Sequence, residues 1–183
     1  MSFQEEEVGL VDEHGRVVGS APRSVVRRDN LRHAATAVLV RDSAGRIYLH
    51  RRSETKDWAP GHWDAAAGGV IAAGEEPGDS AVRELAEELG ITGVRLSELG
   101  THLYEDATVR VFEYAYEAVW DGPLRHQAEE VAEGRWATPA ELAALLADPA
   151  VAFVPDTRQL LEQLGLAGRT DRGPTSARDD EDR

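Results

Sequence analysis

Apolar residues occur along this chain mainly in short runs separated by clusters of Gly, Pro, Asp and Ser, a pattern typical of β-strands joined by turns. In Thr108–Val119 they alternate in part with polar residues, as in a strand with one buried face. The first two runs flank a turn at residues 12–15 and predict an N-terminal β-hairpin. Strands are predicted at Val8–Val11, Arg16–Ser20, Ala34–Val40, Ile47–His50, Val94–Leu103, Thr108–Val119 and Val131–Ala137, and Asp64–Ala67 is a short apolar segment.

Three segments have the features of helices. Pro77–Leu89 begins with residues that favour a helix start and is followed by Gly90, which favours a helix end. A second helix is predicted from Thr138 through Leu146, because Thr138 and Glu141 have the spacing of a capping box. A third, Asp156–Leu166, has a leucine-rich face. Residues 21–32 are polar and basic, and their arginine stretch, 23–32, is predicted to be a solvated loop, with binding of substrate anions as the alternative.

The composition narrows the classes of protein that are compatible with this pattern. With 183 residues, 42% of them hydrophobic, the chain is predicted to form one domain over residues 1–167, and residues 168–183 have too few apolar side chains to fold. The formal net charge of -14 argues against broad nucleic-acid binding, and the absence of Cys excludes disulfides and thiolate chemistry. The N-terminus has no secretory pattern and no apolar run reaches membrane length, so we expect a cytoplasmic protein without membrane contact.

Carboxylates are concentrated on one face of the predicted helix Pro77–Leu89. An apolar stripe of Val82, Leu85, Ala86 and Leu89 is expected to face the core. Glu84, Glu87 and Glu88 share another face, where like charges at these spacings destabilise an isolated helix. A hard divalent cation would turn that repulsion into attraction, since Mg2+ prefers oxygen ligands and is often shared with substrate phosphates.

The segment Gly69–Ile91 resembles the signature of the Nudix hydrolases. Gly69 is followed after five residues by Glu75, and after seven more by Arg83-Glu84-Leu85-Ala86-Glu87-Glu88-Leu89-Gly90-Ile91. All seven fixed residues of the signature are present at their spacing, so a chance match is on the order of one in a hundred million. The resemblance implies an α+β fold, an α/β/α sandwich with a mixed sheet, to which the N-terminal hairpin is added.

The resemblance also implies the roles of individual residues. Mg2+, or alternatively Mn2+, would be bound by Gly69, Glu84, Glu87 and Glu88. Arg83 would orient a glutamate, Glu75 would steady the loop before the helix, and Glu84 and Glu88 would take part in catalysis. The implied reaction is attack of water on a diphosphate bond in a small phosphorylated substrate, by default a nucleoside diphosphate linked to another group. The proton acceptor is left open between Glu84 and a glutamate of the later loop, Glu129 or Glu130.

Outside the signature, the chain is similar to the isopentenyl-diphosphate-isomerase-like branch of the family, over roughly residues 8–137. An isomerase is therefore an alternative, although the isomerase Cys is replaced by Gly68 or a neighbour, and His33 lacks its companion metal ligands. A non-catalytic nucleotide-binding module is another alternative, since a fold alone does not fix a function. Dimers are common among relatives, so a homodimer is an expectation. The substrate-binding candidates are Arg51, Arg52, Trp58 and Trp63.

Overall fold

The computed structural model describes residues 5–167, which contain nine strands and four helices. The strands are β1 (Glu7–Val11), β2 (Val17–Pro22), β3 (His33–Arg41), β4 (Ile47–Arg52), β5 (Trp63–Asp64), β6 (Ala66–Ala67), β7 (Leu96–Glu105), β8 (Arg110–Val119) and β9 (Val131–Ala137). The helices are α1 (Arg23–Arg28), α2 (Pro77–Leu89), α3 (Pro139–Ala147) and α4 (Pro155–Gln163). The tail predicted at 168–183 lies outside the described residues.

Strand β3 is the centre of a mixed sheet. It pairs in parallel with β8 along its whole length, and in antiparallel fashion with β1, β4 and β6. The remaining pairs, β1 with β2, β4 with β5, β4 with β9 and β7 with β8, are antiparallel. The predicted α+β class, the mixed sheet and the N-terminal hairpin are therefore confirmed.

Helices cover both faces of this sheet, because the side chains of β3 alternate between them. Ala37 and Leu39 pack in a cluster with residues of α3 and α4, such as Leu142 and Leu160. Their neighbours on β3 point the other way, into a cluster with Leu85 and Leu89 of α2. Burial of each such leucine contributes roughly 1.5–3 kcal/mol, so the two clusters hold the three layers together.

Helix α2 has the predicted bounds but is rotated slightly from its predicted orientation. Gly90 ends it in the left-handed conformation with φ of 68°. The buried face is formed by Ala81, Leu85, Glu88 and Leu89, whereas Val82, predicted to face the core, is 47% exposed. The rotation matters for function because it turns the carboxyl of Glu88 toward the protein interior.

The loop predicted at 23–32 is the one clear error in secondary structure. Residues Arg23–Arg28 form helix α1, whose single buried side chain, Val26, packs with Val8, Ala21 and Val70. The capping box predicted at the start of α3 is confirmed, with Thr138 Oγ1 accepting from the Glu141 amide at 3.2 Å. Within residues 5–167, no helix is long and apolar enough to cross a membrane.

Candidate active site around helix α2

The loop that enters α2 lies directly against β3. The Thr36 amide donates to the Gly69 carbonyl and the Ile71 amide donates to the Ala34 carbonyl, both at 2.9 Å. A Cβ atom at Gly68 would overlap the carbonyl oxygen of Thr36, and one at Gly69 would lie 2.7 Å from Oε1 of Glu84. Gly68 is therefore required by the close approach of the Thr36 backbone, whereas Gly69 contacts the end of the flexible Glu84 side chain, so the backbone lies within reach of the carboxylates of α2.

Arg83 organises the carboxylates of the loop and helix. Its Nε and Nη2 donate to the two carboxylate oxygens of Glu75 at 2.9 and 3.0 Å, a planar two-point pair. Its Nη1 donates to Glu84 at 2.7 Å and to Glu87 at 3.2 Å. The hydrogen bonds from Arg83 lower the pKa of Glu75, which in turn accepts from the Ala72 amide at 3.1 Å. Arg83 thus contacts Glu75, Glu84 and Glu87 together, and the orienting roles of Arg83 and Glu75 remain predictions.

Glu88 is the most deeply buried of the three helix glutamates. Its side chain is 4% exposed, against 14% for Glu84 and 52% for Glu87. Burial raises the pKa of Glu88 to about 7, although the charges of Lys56 and Arg52 oppose the rise. Burial also raises the pKa of Glu84. The Gly68 amide donates to Oε2 of Glu88 at 3.2 Å and fixes the orientation of the carboxyl.

Lys56 is a site residue that the sequence analysis missed. Its Nζ lies 3.5 Å from Oε1 of Glu88 and forms an ion pair with Glu130. It is the only lysine in the 183-residue sequence, against 19 arginines, and this isolation was the signal that could have singled it out. Of the two loop glutamates, Glu130 is brought to the site, whereas Glu129 is exposed and contributes a backbone carbonyl that accepts from Thr55.

These side chains line a polar cavity of about 200 Å³, which we call the α2 cavity. Its lining residues are Glu6, Arg23, Lys56, Gly68, Gly69, Arg83, Glu84, Glu87, Glu88, Gln127 and Glu130. Every residue predicted as catalytic or metal-binding is among them. Within residues 5–167, no three acidic or His side chains are arranged as a ready-made metal site. Glu84 and Glu87 instead accept hydrogen bonds from Arg83, and Glu88 accepts one from the Gly68 amide.

The four predicted substrate-binding residues divide into two pairs. Arg52 and Trp58 line a second cavity next to the α2 cavity. Arg51 and Trp63 line neither cavity, which corrects the prediction for these two. Successive residues of β4 point to opposite faces, so Arg51 is turned away and donates to Glu54 at 2.8 Å. Trp63 lies under the guanidinium of Arg135, 5.6 Å from the ring centroid.

His33 lies at the wall of the same second cavity and forms one short-range contact. Its Nδ1 lies 3.0 Å from the Leu31 carbonyl, and burial lowers its pKa to about 4. The imidazole is therefore neutral at physiological pH, with Nδ1 donating to Leu31.

The arrangement of glycine loop, Arg83 and glutamate helix agrees with comparisons to known proteins. Residues 31–163 match the model of the NUDIX domain. The chain belongs to the Nudix family. An uncharacterized Nudix hydrolase of Rhodococcus erythropolis, orf19, is 45% identical over 167 residues, covering 86% of this chain and 90% of the relative. An uncharacterized Nudix hydrolase of Escherichia coli, YfcD, is 42% identical over 156 residues, covering 85% of this chain and 84% of the relative.

A solved structure has a similar fold. The crystal structure of DR0079 from Deinococcus radiodurans is similar with a TM-score of 0.74 and 27% identity, covering 86% of this chain and 98% of that one. The chain is thus an enzyme of the Nudix hydrolase type, with the Nudix signature on its loop and α2 helix. The narrower isomerase-like resemblance remains a prediction.

Proposed function

We propose that this Nudix enzyme is a Mg2+-dependent hydrolase, also active with Mn2+, that cleaves a diphosphate bond in a small phosphorylated metabolite. The observation that carries the proposal is the buried carboxyl of Glu88, which lies in the α2 cavity beside Glu84 and the glycine backbone. A buried acid with a raised pKa destabilises a fold, and such groups are concentrated at functional sites. A nucleoside diphosphate linked to another group is the default substrate.

The donor atoms of the cavity fit a hard divalent cation. Glu84, Glu87 and Glu88 would supply carboxylate oxygens, and the Gly69 carbonyl has a second lone pair beyond the one that accepts from Thr36. Mg2+ commonly keeps several waters and takes only one or two carboxylates together with substrate phosphates, so a complete protein cage is not needed. When bound, it would neutralise phosphate charge and lower the pKa of a water molecule.

The side chains of the cavity would position the reactants. Lys56 and Arg23 line the cavity and would contact a diphosphate once a bound cation offsets the carboxylates that now pair with them, and the Gly68 amide holds Glu88 in one orientation. Glu84 and Glu130 are the two candidates for accepting the proton of the attacking water, since both line the cavity. Comparing the pH dependence of kcat in Glu84→Gln and Glu130→Gln would assign this role, because only the variant lacking the base should lose the acidic limb.

Turnover measurements test the proposal directly. The protein is incubated with a panel of nucleoside diphosphate derivatives, dinucleotides and prenyl diphosphates in Mg2+ or Mn2+, and phosphate or nucleotide release is followed. We expect Glu88→Gln to lower kcat by at least about 100-fold, since this is the usual scale for loss of a transition-state contact. Glu162→Gln, an exposed glutamate on α4, is the matched control and should leave kcat unchanged.

Two results would count against the hydrolase. Full activity of Glu88→Gln would exclude the proposed site, and the lack of metal-dependent turnover of every compound would favour the non-catalytic binding module. The isomerase alternative receives no support from position 68, where a side chain would overlap the backbone of Thr36. Formation of an allylic isomer from isopentenyl diphosphate would nevertheless revive it.

A further inference from the structure

A second cavity adjoins the α2 cavity and is separated from it only by shared wall residues. Arg23, Lys56, Gly68 and Gly69 line both cavities. The volume of the second cavity is about 70 Å³. One water needs roughly 10–15 Å³ by the same measure, so this space is large enough for a group bigger than a single solvent molecule. The shared lining residues place the second cavity directly beside any ligand held at α2.

The second cavity is lined by both apolar and charged side chains, and one of the carboxyl groups in its lining is that of Glu113. Val111 and Glu113 of β8 point to one face of the sheet by strand alternation, and Val109 lies just before the strand. Ala35 of β3 is the direct neighbour of Glu113 and packs with the two valines and Trp58. The carboxyl of Glu113 is thus placed next to the apolar part of the lining, while the charged part is supplied by Arg23, Arg27, Arg52, Lys56, Asp64 and Asp156.

Glu113 has no protein partner that would explain its burial. It is 5% exposed, and its Oε2 has no hydrogen-bond partner among residues 5–167. The neighbouring carboxylates are satisfied, since Asp64 accepts from Thr157 Oγ1 at 2.7 Å and Asp156 accepts from the Thr157 amide at 2.8 Å. Burial, together with the charges of Asp156 and Asp64, raises the pKa of Glu113 well above its usual range. A neutral carboxyl both donates and accepts a hydrogen bond.

Trp58 provides a second buried polar atom without a partner. Its indole Nε1 has no acceptor among the described residues, although Trp58 lines the cavity. The segment that carries it is well anchored, because Asp57 accepts from Arg23 at 3.1 Å and Arg27 at 3.2 Å. Arg52 also donates to the Trp58 carbonyl at 3.0 Å. The unused indole N–H is therefore a fixed feature of the wall.

Orphaned donors and acceptors of this kind are uncommon, since about 90% or more of buried polar groups in folded proteins have a partner. A third such atom, Oγ1 of Thr36, belongs to a residue whose side chain strand alternation turns to the opposite face, so it adds nothing here. Thr36 also contributes to the lining of the second cavity, but Glu113 and Trp58 both lie beside Ala35, the first as its strand neighbour and the second as a packing contact. Two unused hydrogen-bonding groups that line a single space indicate a ligand rather than two separate packing faults.

We propose that the second cavity is the subsite for the part of the substrate beyond the diphosphate. Glu113 and Trp58 select an uncharged group that carries a hydrogen-bond acceptor next to a donor, such as an amide or the edge of a base. The inference rests on the proposed hydrolase function, which places the diphosphate at α2. An alkyl or prenyl chain would fit the apolar walls but would leave both polar groups unpaired. Sites that hydrogen-bond their substrate reject analogues lacking those groups far more strongly than apolar pockets do.

The test compares substrates that differ beyond the diphosphate. The probes are ADP, CDP, GDP and UDP, which carry base edges, and dimethylallyl diphosphate, which has an apolar tail. Trp58→Phe keeps the ring and removes the N–H, while Glu113→Leu removes the carboxyl and Glu113→Gln keeps a donor and an acceptor. Trp120→Phe is the matched control, because the Trp120 indole donates to the Pro123 carbonyl away from the cavity.

We expect wild-type protein to cleave at least one nucleotide with a kcat/KM at least 10-fold above that for dimethylallyl diphosphate. Trp58→Phe and Glu113→Leu should each lower kcat/KM for that nucleotide about 3- to 10-fold, the effect of one hydrogen bond, and leave the prenyl compound unaffected. Glu113→Gln should restore most of the loss. Equal losses on both kinds of probe, no loss on either, or a wild-type preference for the prenyl compound would overturn the inference.

The outcome for the hydrolase itself is read separately. If no probe is cleaved in Mg2+ or Mn2+, the proposed function fails for these compounds, and calorimetric binding of the four nucleotides then decides the subsite. Weaker binding by Trp58→Phe and Glu113→Leu than by Trp120→Phe supports it, whereas equal binding by all three overturns it. Circular dichroism of each variant identifies any that fails to fold, and Glu113→Gln and Trp58→Phe, the two least disruptive changes, then decide alone.

Discussion

Replacement of Glu88 by Gln should stabilise the metal-free protein even though it removes a site residue. The pKa of Glu88 rises from an ordinary 4.5 to about 7, chiefly through burial. At about 1.4 kcal/mol for each pH unit, ionised Glu88 lowers the free energy of unfolding by about 3 kcal/mol at alkaline pH. Gln is similar in size and has no charge to desolvate, so the variant should avoid this loss.

The sign of the pH dependence follows from the direction of the shift. A folded-state pKa above the unfolded value means that the stabilising contribution is complete below about pH 4.5 and is lost as pH rises through about 7. Wild-type protein in EDTA should therefore lose stability relative to Glu88→Gln between pH 5 and pH 8. The difference should be about 1 kcal/mol at pH 5 and about 3 kcal/mol at pH 8.

Urea unfolding followed by the fluorescence of the four tryptophans measures this difference. Glu87→Gln is the control, because the Glu87 side chain is 52% exposed and its change should stay within about 0.5 kcal/mol. Addition of Mg2+ should stabilise wild type but not Glu88→Gln, since a ligand stabilises only the state that binds it. The reasoning would be refuted if metal-free Glu88→Gln were less stable than wild type at pH 8, or if the difference in their free energies of unfolding did not change with pH.

Three further changes test other parts of the structure. Gly68→Ala should lower the free energy of unfolding by about 1–3 kcal/mol, because the Cβ of the new alanine would displace the Thr36 carbonyl. It should also reduce kcat, because the same shift would move the residue 68 amide that donates to Glu88. Urea unfolding measures the first effect and turnover assays measure the second. Thr138→Ala should lower the free energy of unfolding by about 1 kcal/mol through loss of the α3 capping box, and kcat should be unchanged. A fall in kcat would argue against a purely structural role for Thr138. Lys56→Gln should raise KM and move the acidic limb of the kcat/KM profile to higher pH, because the charge of Lys56 holds down the pKa of Glu88; an unmoved limb would contradict this coupling.

Local signals explain why α2 and its carboxylates were predicted accurately. Pro77 and Gly90 mark the two ends of the helix chemically, and the fixed spacing of the Nudix signature depends on one continuous segment. The orientation of the helix was harder to infer, since apolar spacing pointed to Val82 as a core residue. In the fold, α2 packs with Ala81 and Glu88 buried instead. Only the position of the β-sheet against the helix determines which of its sides is covered.

Non-local contacts explain what was missed. Helix α1 has six residues and one buried side chain, too few for a helical period to be visible. Glu113 read as one polar position in an alternating strand, and Asp64 contacts Thr157 across 93 residues of sequence. Arg51 and Arg52 were predicted as a pair, but strand alternation assigns only Arg52 to a cavity. The family signature and the bounds of α2 could therefore be predicted from the sequence, while the second cavity required the fold.

The charges around α2 impose an order on binding. The α2 cavity is lined by five carboxylates and three cationic side chains, a formal charge of -2 when all are ionised. These residues are Glu6, Glu84, Glu87, Glu88 and Glu130 with Arg23, Lys56 and Arg83. The three cations are already engaged by carboxylates of the same protein, which leaves little positive potential for an incoming diphosphate. One divalent cation would bring the cavity to neutrality, and the whole chain carries a charge of -14 that otherwise repels anions. A diphosphate should therefore bind weakly to metal-free protein and tightly only after, or together with, the cation. The KM of the wild-type protein should fall as the Mg2+ concentration is raised, whereas the KM of Glu88→Gln should not depend on the Mg2+ concentration.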